Sequence, residues 1–150
     1  MADAVRAPGG AADRPLSPHL SIYRRGIHMM MSIVHRMTGT ALYAGTLLLA
    51  AWLAAAAAGP AAYDKVNAIA ASPPGLLVLF GYTWALLHHM LGGIRHLIWD
   101  TGRGFDLASV RRMSWGSLIV SIVLTLVLWG MVFGGTDLSG LGTAVKGFLK

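Results

Sequence analysis

The 150-residue sequence contains no cysteine and no glutamate. The first absence excludes disulfides, cysteine-ligated zinc, iron–sulfur ligation and thiol catalysis within this chain, and leaves its redox compartment open. The acids are six aspartates, and charged residues make up only 12% of the chain. So little charge, set against 55% hydrophobic residues and a mean hydropathy of +0.61, fits a small membrane protein better than a soluble domain. The GxxxxGK[ST], HExxH and GxSxG patterns are missing too, and with them the phosphate loop, the zinc-protease helix, the nucleophile elbow and any hydrolytic triad.

What charge there is leans basic. Nine arginines and three lysines give a net charge of +6. The arginines sit at the ends of apolar runs, where a bilayer surface accounts for them, so nucleic acid is not expected as a partner. The excess of Arg over Lys and the abundance of Ala hint at a bacterial genome of high GC content. Residues 1–13 lack the apolar core of a signal peptide, and Asp3 and Asp13 beside the lone Arg6 argue against a transit peptide. They are expected to form a disordered cytoplasmic tail.

Crossing the hydrocarbon core takes about 20 consecutive apolar residues in a helix. Three such runs occur, at residues 37–62, 73–94 and 113–136. The expected fold is therefore an all-α membrane protein with three transmembrane helices and a short N-terminal cytoplasmic segment. Its domain would cover residues 14–136, with a periplasmic tail at 137–150. Gly59-Pro60 and Pro73-Pro74 mark span boundaries. Arg6, Arg14, Arg24, Arg25 and Arg36 precede the first span, and Arg95, Arg103, Arg111 and Arg112 follow the second. The first loop has only Lys65, and the tail Lys146 and Lys150. The positive-inside rule then puts the N-terminus and second loop in the cytoplasm, with the first loop and C-terminus outside.

The second span holds an anomaly. No Asp, Glu, Lys or Arg occurs between residues 72 and 94, yet His88 and His89 lie in its inner half. Intramembrane imidazoles are costly and face a cofactor, a cavity or another helix. Imidazole is also an axial ligand of haem iron. His89, Gly93 and His96 follow i, i+4, i+7 and share a face, with Asp100 a turn further on. Gly93 leaves room for a flat macrocycle or a neighbouring backbone. His88 has its own face with Gly92 and Arg95. Trp84 lies one turn before His88 and the smaller Ala85 one turn before His89, which favours His89 for a porphyrin edge. Either histidine could instead hydrogen-bond between helices. Spans one and three have no histidine at matching depth, so bis-histidine ligation would need a second chain.

On the first span, Ser32 and Arg36 are one turn apart, with His35 adjacent and Gly39 a turn above it. A hydroxyl and a guanidinium at the interface could bind a quinone carbonyl or a haem propionate. Arg36 could equally snorkel to lipid phosphate. Met29, Met30 and Met31 read as a pliant contact, and Trp52, Trp99, Trp115 and Trp129 as an aromatic belt.

Three motifs in order, Arg14-Pro-Leu-Ser-Pro-His-Leu-Ser-Ile-Tyr23, Ser32-Ile-Val-His-Arg-Met-Thr-Gly39 and His89-x-x-x-Gly-Ile-Arg-His96 with Asp100, closely resemble the cytochrome b556 membrane-anchor subunits of succinate dehydrogenase, respiratory complex II. The resemblance covers roughly residues 14–133. It implies a haem b-binding anchor of succinate:quinone oxidoreductase in a bacterial inner membrane. It also implies three partners: a second hydrophobic anchor, an iron–sulfur subunit and a flavoprotein subunit. By the resemblance, His89 is the axial haem ligand, the other axial histidine comes from the partner anchor, Ser32 and Arg36 meet ubiquinone, and His35 and Arg36 lie near the haem propionates. Succinate oxidation itself would occur in another subunit. Rival readings are a haem-free structural anchor, or a cytochrome b of another dehydrogenase, which usually has more spans and its own histidine pairs. A small transporter is disfavoured by the lack of an internal repeat.

Overall fold

A computed structural model describes residues 25–134. The tails expected at 1–13 and 137–150, and the first resemblance motif, lie outside the described residues. Four helices follow in order: α1 (Ile27–Ala58), α2 (Pro60–Ala71), α3 (Pro73–Asp100) and α4 (Leu107–Gly134). Three of them, α1, α3 and α4, are long and apolar enough to cross a membrane. The all-α, three-span expectation is borne out.

The boundaries differ from those read off hydropathy. α1 begins ten residues before position 37, because polar Ser32, His35 and Arg36 continue the same helix beyond the apolar run. It stops at Ala58, where Gly59 adopts φ +112°, a conformation that side-chain-bearing residues rarely take. Pro60 then opens α2, a short helix in the segment expected to be a loop. Trp52 Nε1 donates to Asn67 Oδ1 at 3.2 Å, tying α2 to the end of α1. Ser72 caps α3, its Oγ accepting from Gly75 N at 3.3 Å, with prolines filling the first turn. Asp106 plays the same part for α4, accepting from Ser109 N at 2.8 Å. Hydrogen bonds from Ser109, side chain and backbone, hold the Asp106 carboxyl below its usual range.

α3 is central, packed against α1, α2 and α4. Its interior reverses that of a soluble domain. Among the described residues the only buried apolar side chains are Met31 and Ala85, while Thr38, His88, Arg95, Ser114, Ser117, Ser121 and Thr125 are buried. Leu, Ile and Val side chains cover the outside. Lipid is as apolar as leucine, so close approach of small residues and interhelical hydrogen bonds hold such helices together. On α4, Ser114, Ser117, Ser121 and Thr125 form one stripe facing α3. Each hydroxyl donates back to a carbonyl one turn earlier, at 2.7–3.0 Å. Trp129 Nε1 donates to Thr83 Oγ1 at 3.2 Å further along the seam.

The α1–α3 contact depends on a glycine. A Cβ on Gly45 would overlap the Tyr82 ring, whose hydroxyl donates to the Leu42 carbonyl at 3.4 Å. Gly45→Ala should therefore push α3 from α1 at a cost of about 1–3 kcal/mol, typical of overpacking. A lower thermal midpoint of the purified complex would register it, and adding Tyr82→Leu should restore most of the loss. An unchanged midpoint for Gly45→Ala would refute the close contact.

Candidate functional site

The site lies at the end of the bundle where α1 starts, α3 ends and α4 starts. Successive residues of a helix are about 100° apart, so His88 and His89 must face different neighbours. His88 turns to α4. It is 1% exposed, its Nδ1 lies 3.3 Å from Ser121 Oγ, and its ring stacks on Trp84 with centroids 5.3 Å apart. His89 turns to α1, where its ring stacks on His35 at 4.1 Å and 10°. The two rivals of the sequence reading thus occupy opposite seams.

The hydrogen bonds of His89 set its tautomer. Its Nδ1 lies 3.1 Å from the His35 carbonyl oxygen and 3.3 Å from Thr38 Oγ1. Thr38 Oγ1 itself donates to the same carbonyl at 2.9 Å, which turns a hydroxyl lone pair toward His89. A carbonyl can only accept, so Nδ1 carries the proton. In the neutral ring Nε2 then holds a free lone pair, and it makes no hydrogen bond among the described residues. This is the arrangement in which a metal-ligating histidine is held, one nitrogen donating to a carbonyl and the other left to bind.

Two glycines make the approach possible. A Cβ on Gly92 would run into the His35 ring, and one on Gly39 would come within 2.9 Å of His89 Cε1. Gly93, expected from the sequence to clear space beside His89, faces a direction in which a Cβ would meet nothing within 4 Å. His96 is exposed, its ring 5.4 Å from His35 and 5.1 Å from Trp99. The three histidine rings stack and tilt against one another without converging on a point. Among the described residues no group of three or more His, Cys or Asp could hold an ion, whereas haem asks only one imidazole for each axial position.

Beside the rings is a cavity of about 200 Å³, lined by His28, Ser32, Arg36, Arg95 and His96 among others. Ser32 and Arg36 are both exposed, on one side of α1. Neither side chain has a partner among the described residues. His35 Nε2 is buried and unpartnered. The structure therefore brings Ser32, His35, Arg36 and His89 to one end of the α1–α3 contact.

Sequence reasoning missed three participants. Thr38 was not singled out, although it is buried and bonded to His89. Arg95 was counted with the loop arginines, but α3 runs on to Asp100 and buries it at 5% exposure. The hydroxyl stripe of α4 was read as plain span, although its spacing of three and four residues is visible in the sequence.

A family model for the succinate dehydrogenase/fumarate reductase transmembrane subunit matches residues 11–128. The chain belongs to that family. Among its relatives are the succinate dehydrogenase cytochrome b556 subunits of Paracoccus denitrificans and Rickettsia prowazekii. The first is 39% identical over 127 residues, 85% of this chain and 94% of the relative. The second is 41% identical over 119 residues, 77% and 90% of the two chains. The mitochondrial cytochrome b560 subunit of Sus scrofa is 36% identical over 127 residues, covering 80% of this chain and 72% of that one. The resemblance drawn from the three motifs is thereby borne out, and three long apolar helices suit a transmembrane subunit of this family.

Proposed function

We propose that this chain is the haem b-bearing anchor subunit of a succinate:quinone oxidoreductase, that it contributes part of the ubiquinone site, and that it anchors the flavoprotein and iron–sulfur subunits together with a second hydrophobic anchor. The observation that carries this reading is His89, its Nδ1 committed to the α1 backbone and its Nε2 left free. The second axial histidine would come from the partner anchor, as the resemblance implies: His88 faces α4, and the His35 ring lies flat against that of His89, so neither can share a macrocycle with it. When bound, haem b supplies a one-electron store next to the quinone.

The chain's own residues do the rest. The His35 carbonyl and Thr38 hydroxyl fix the orientation of the His89 ring. Arg36 and His35, beside the cavity at the end of α1, would meet the propionates. Ser32 and Arg36 are free to donate to a quinone carbonyl, and a guanidinium stabilises negative charge as it develops on that oxygen. Succinate oxidation belongs to another subunit. A reduced-minus-oxidised spectrum of the affinity-purified complex, with co-purifying chains identified, tests the reading. A b-type band with flavoprotein and iron–sulfur partners is expected. A complex with those partners and no band would leave a haem-free anchor.

The N-terminus and the loop before α4 are proposed to be cytoplasmic in a bacterial inner membrane, on the positive-inside count. Cysteines placed at Ser17 and Ser109 should be labelled by an impermeant thiol reagent only from inside, and one at Ser139 only from outside. The native sequence adds no background label, having no cysteine. Labelling of Ser109→Cys from the periplasm would reverse the orientation.

A further inference from the structure

Arg95 is a guanidinium in the interior of a membrane bundle. It is 5% exposed, its Nη1 donates to Ser114 Oγ at 3.3 Å, and its Cζ lies 5.2 Å from the Trp99 ring centroid. Its Nε is buried with no partner. A hydroxyl and an aromatic face are neutral, and among the described residues no carboxylate pairs with it, so the charge is left uncompensated. Intramembrane charges are expensive and are usually paired or functional. Arginine stays protonated under essentially all conditions, so the cost cannot be relieved by losing the proton.

The position of this charge decides what it can do. Arg95 lies six residues after His89 on the same helix, roughly 9 Å along its axis. It also lines the cavity shared with His35 and Arg36. We propose that Arg95 is a fixed positive charge that raises the midpoint potential of the haem ligated by His89, and so favours the reduced form. This rests on the haem reading above. Reduction of haem iron adds one electron, and a nearby cation stabilises the added negative charge. At an effective dielectric of about 20, a unit charge within about 12 Å of the iron changes the reduced-to-oxidised ratio roughly tenfold or more. Tenfold is 59 mV for a one-electron couple.

Redox titration of the haem band in the whole purified complex tests the proposal. Arg95→Gln should lower the midpoint by about 59 mV or more, the tenfold change converted. Arg95→Lys, which keeps the charge, should stay close to wild type. Ser114→Ala removes the hydrogen bond but not the charge and should leave the midpoint unchanged. Ser114→Asp places an anion against Arg95 and should lower the midpoint as Arg95→Gln does, which supplies the answer if the Gln variant fails to assemble. A haem-loaded Arg95→Gln or Ser114→Asp complex with the wild-type midpoint would overturn the proposal, as would an equal fall in Arg95→Lys. A wild-type complex without a b-type band would instead overturn the haem reading beneath it.

Discussion

His89→Leu is expected to remove most of the b-type haem absorbance from the purified complex, whereas His88→Leu should retain it. The two positions are adjacent in sequence and both carry imidazoles, so composition cannot separate the variants; only their seams do. Leucine at 89 removes the Nε2 lone pair that the Nδ1 bond to the His35 carbonyl leaves available, and His88, at nearly the same depth, faces α4 instead. Leucine at 88 removes a ring stacked on Trp84 and a contact with Ser121 Oγ. That hydroxyl already donates to the Leu118 carbonyl, so it is not orphaned by the change. The cost of the His88 substitution should fall on packing, and appear as reduced thermal stability at normal haem content. A haem spectrum intact in His89→Leu and lost in His88→Leu would exchange the assignments.

The second large effect concerns quinone. Arg36→Leu and Ser32→Ala should slow quinone reduction while leaving succinate oxidation by a soluble artificial acceptor near wild type. Both side chains are exposed one turn apart on α1, with no protein partner among the described residues, so neither substitution unpicks the bundle. Losing a hydrogen bond to a charged group costs about 1.5–3 kcal/mol. If that loss is felt fully in the transition state, the rate falls by roughly ten- to over a hundredfold. Arg36 should matter more than Ser32, because its charge also offsets the negative charge growing on the quinone. His35 should affect haem more than turnover, since its ring stacks on His89. An Arg36→Leu complex that assembles, keeps haem and reduces quinone at the wild-type rate would leave Arg36 as a lipid anchor.

Much of this architecture was legible because lipid imposes a simple demand on sequence. Twenty apolar residues in a row, bounded by Gly59-Pro60 at one end or Pro73-Pro74 at the other, have few alternatives to a spanning helix. The division between His88 and His89 was half legible: helical periodicity puts them on different faces, and the small Ala85 pointed to His89. What periodicity lacks is the identity of each neighbour. Nothing in the local sequence says that His88 meets Ser121, 33 residues away, or that Thr38 reaches His89 across 51. Arg95 was misplaced for a different reason. Counting charges to end a span treats every arginine as a boundary, and a guanidinium buried against a serine and a tryptophan breaks that rule. α2 escaped notice because its 12 residues are too few to register as a span.

The hydroxyl stripe of α4 bears on how the chain is made. α3 and α4 are joined by a short turn and fastened by Arg95–Ser114, His88–Ser121 and Trp129–Thr83, contacts that require neither cofactor nor another subunit. As the polypeptide leaves the insertion machinery, this hairpin can close by itself, and α1 joins it through the Gly45–Tyr82 and His35–His89 contacts. On the haem reading proposed above, haem would then load by lateral docking at the α1–α3 seam, with no need to thread a macrocycle into a completed bundle. A protease-protected α3–α4 hairpin in membranes starved of haem is the expected sign of this order of events, and its absence would mean that the clasp closes only around its cargo.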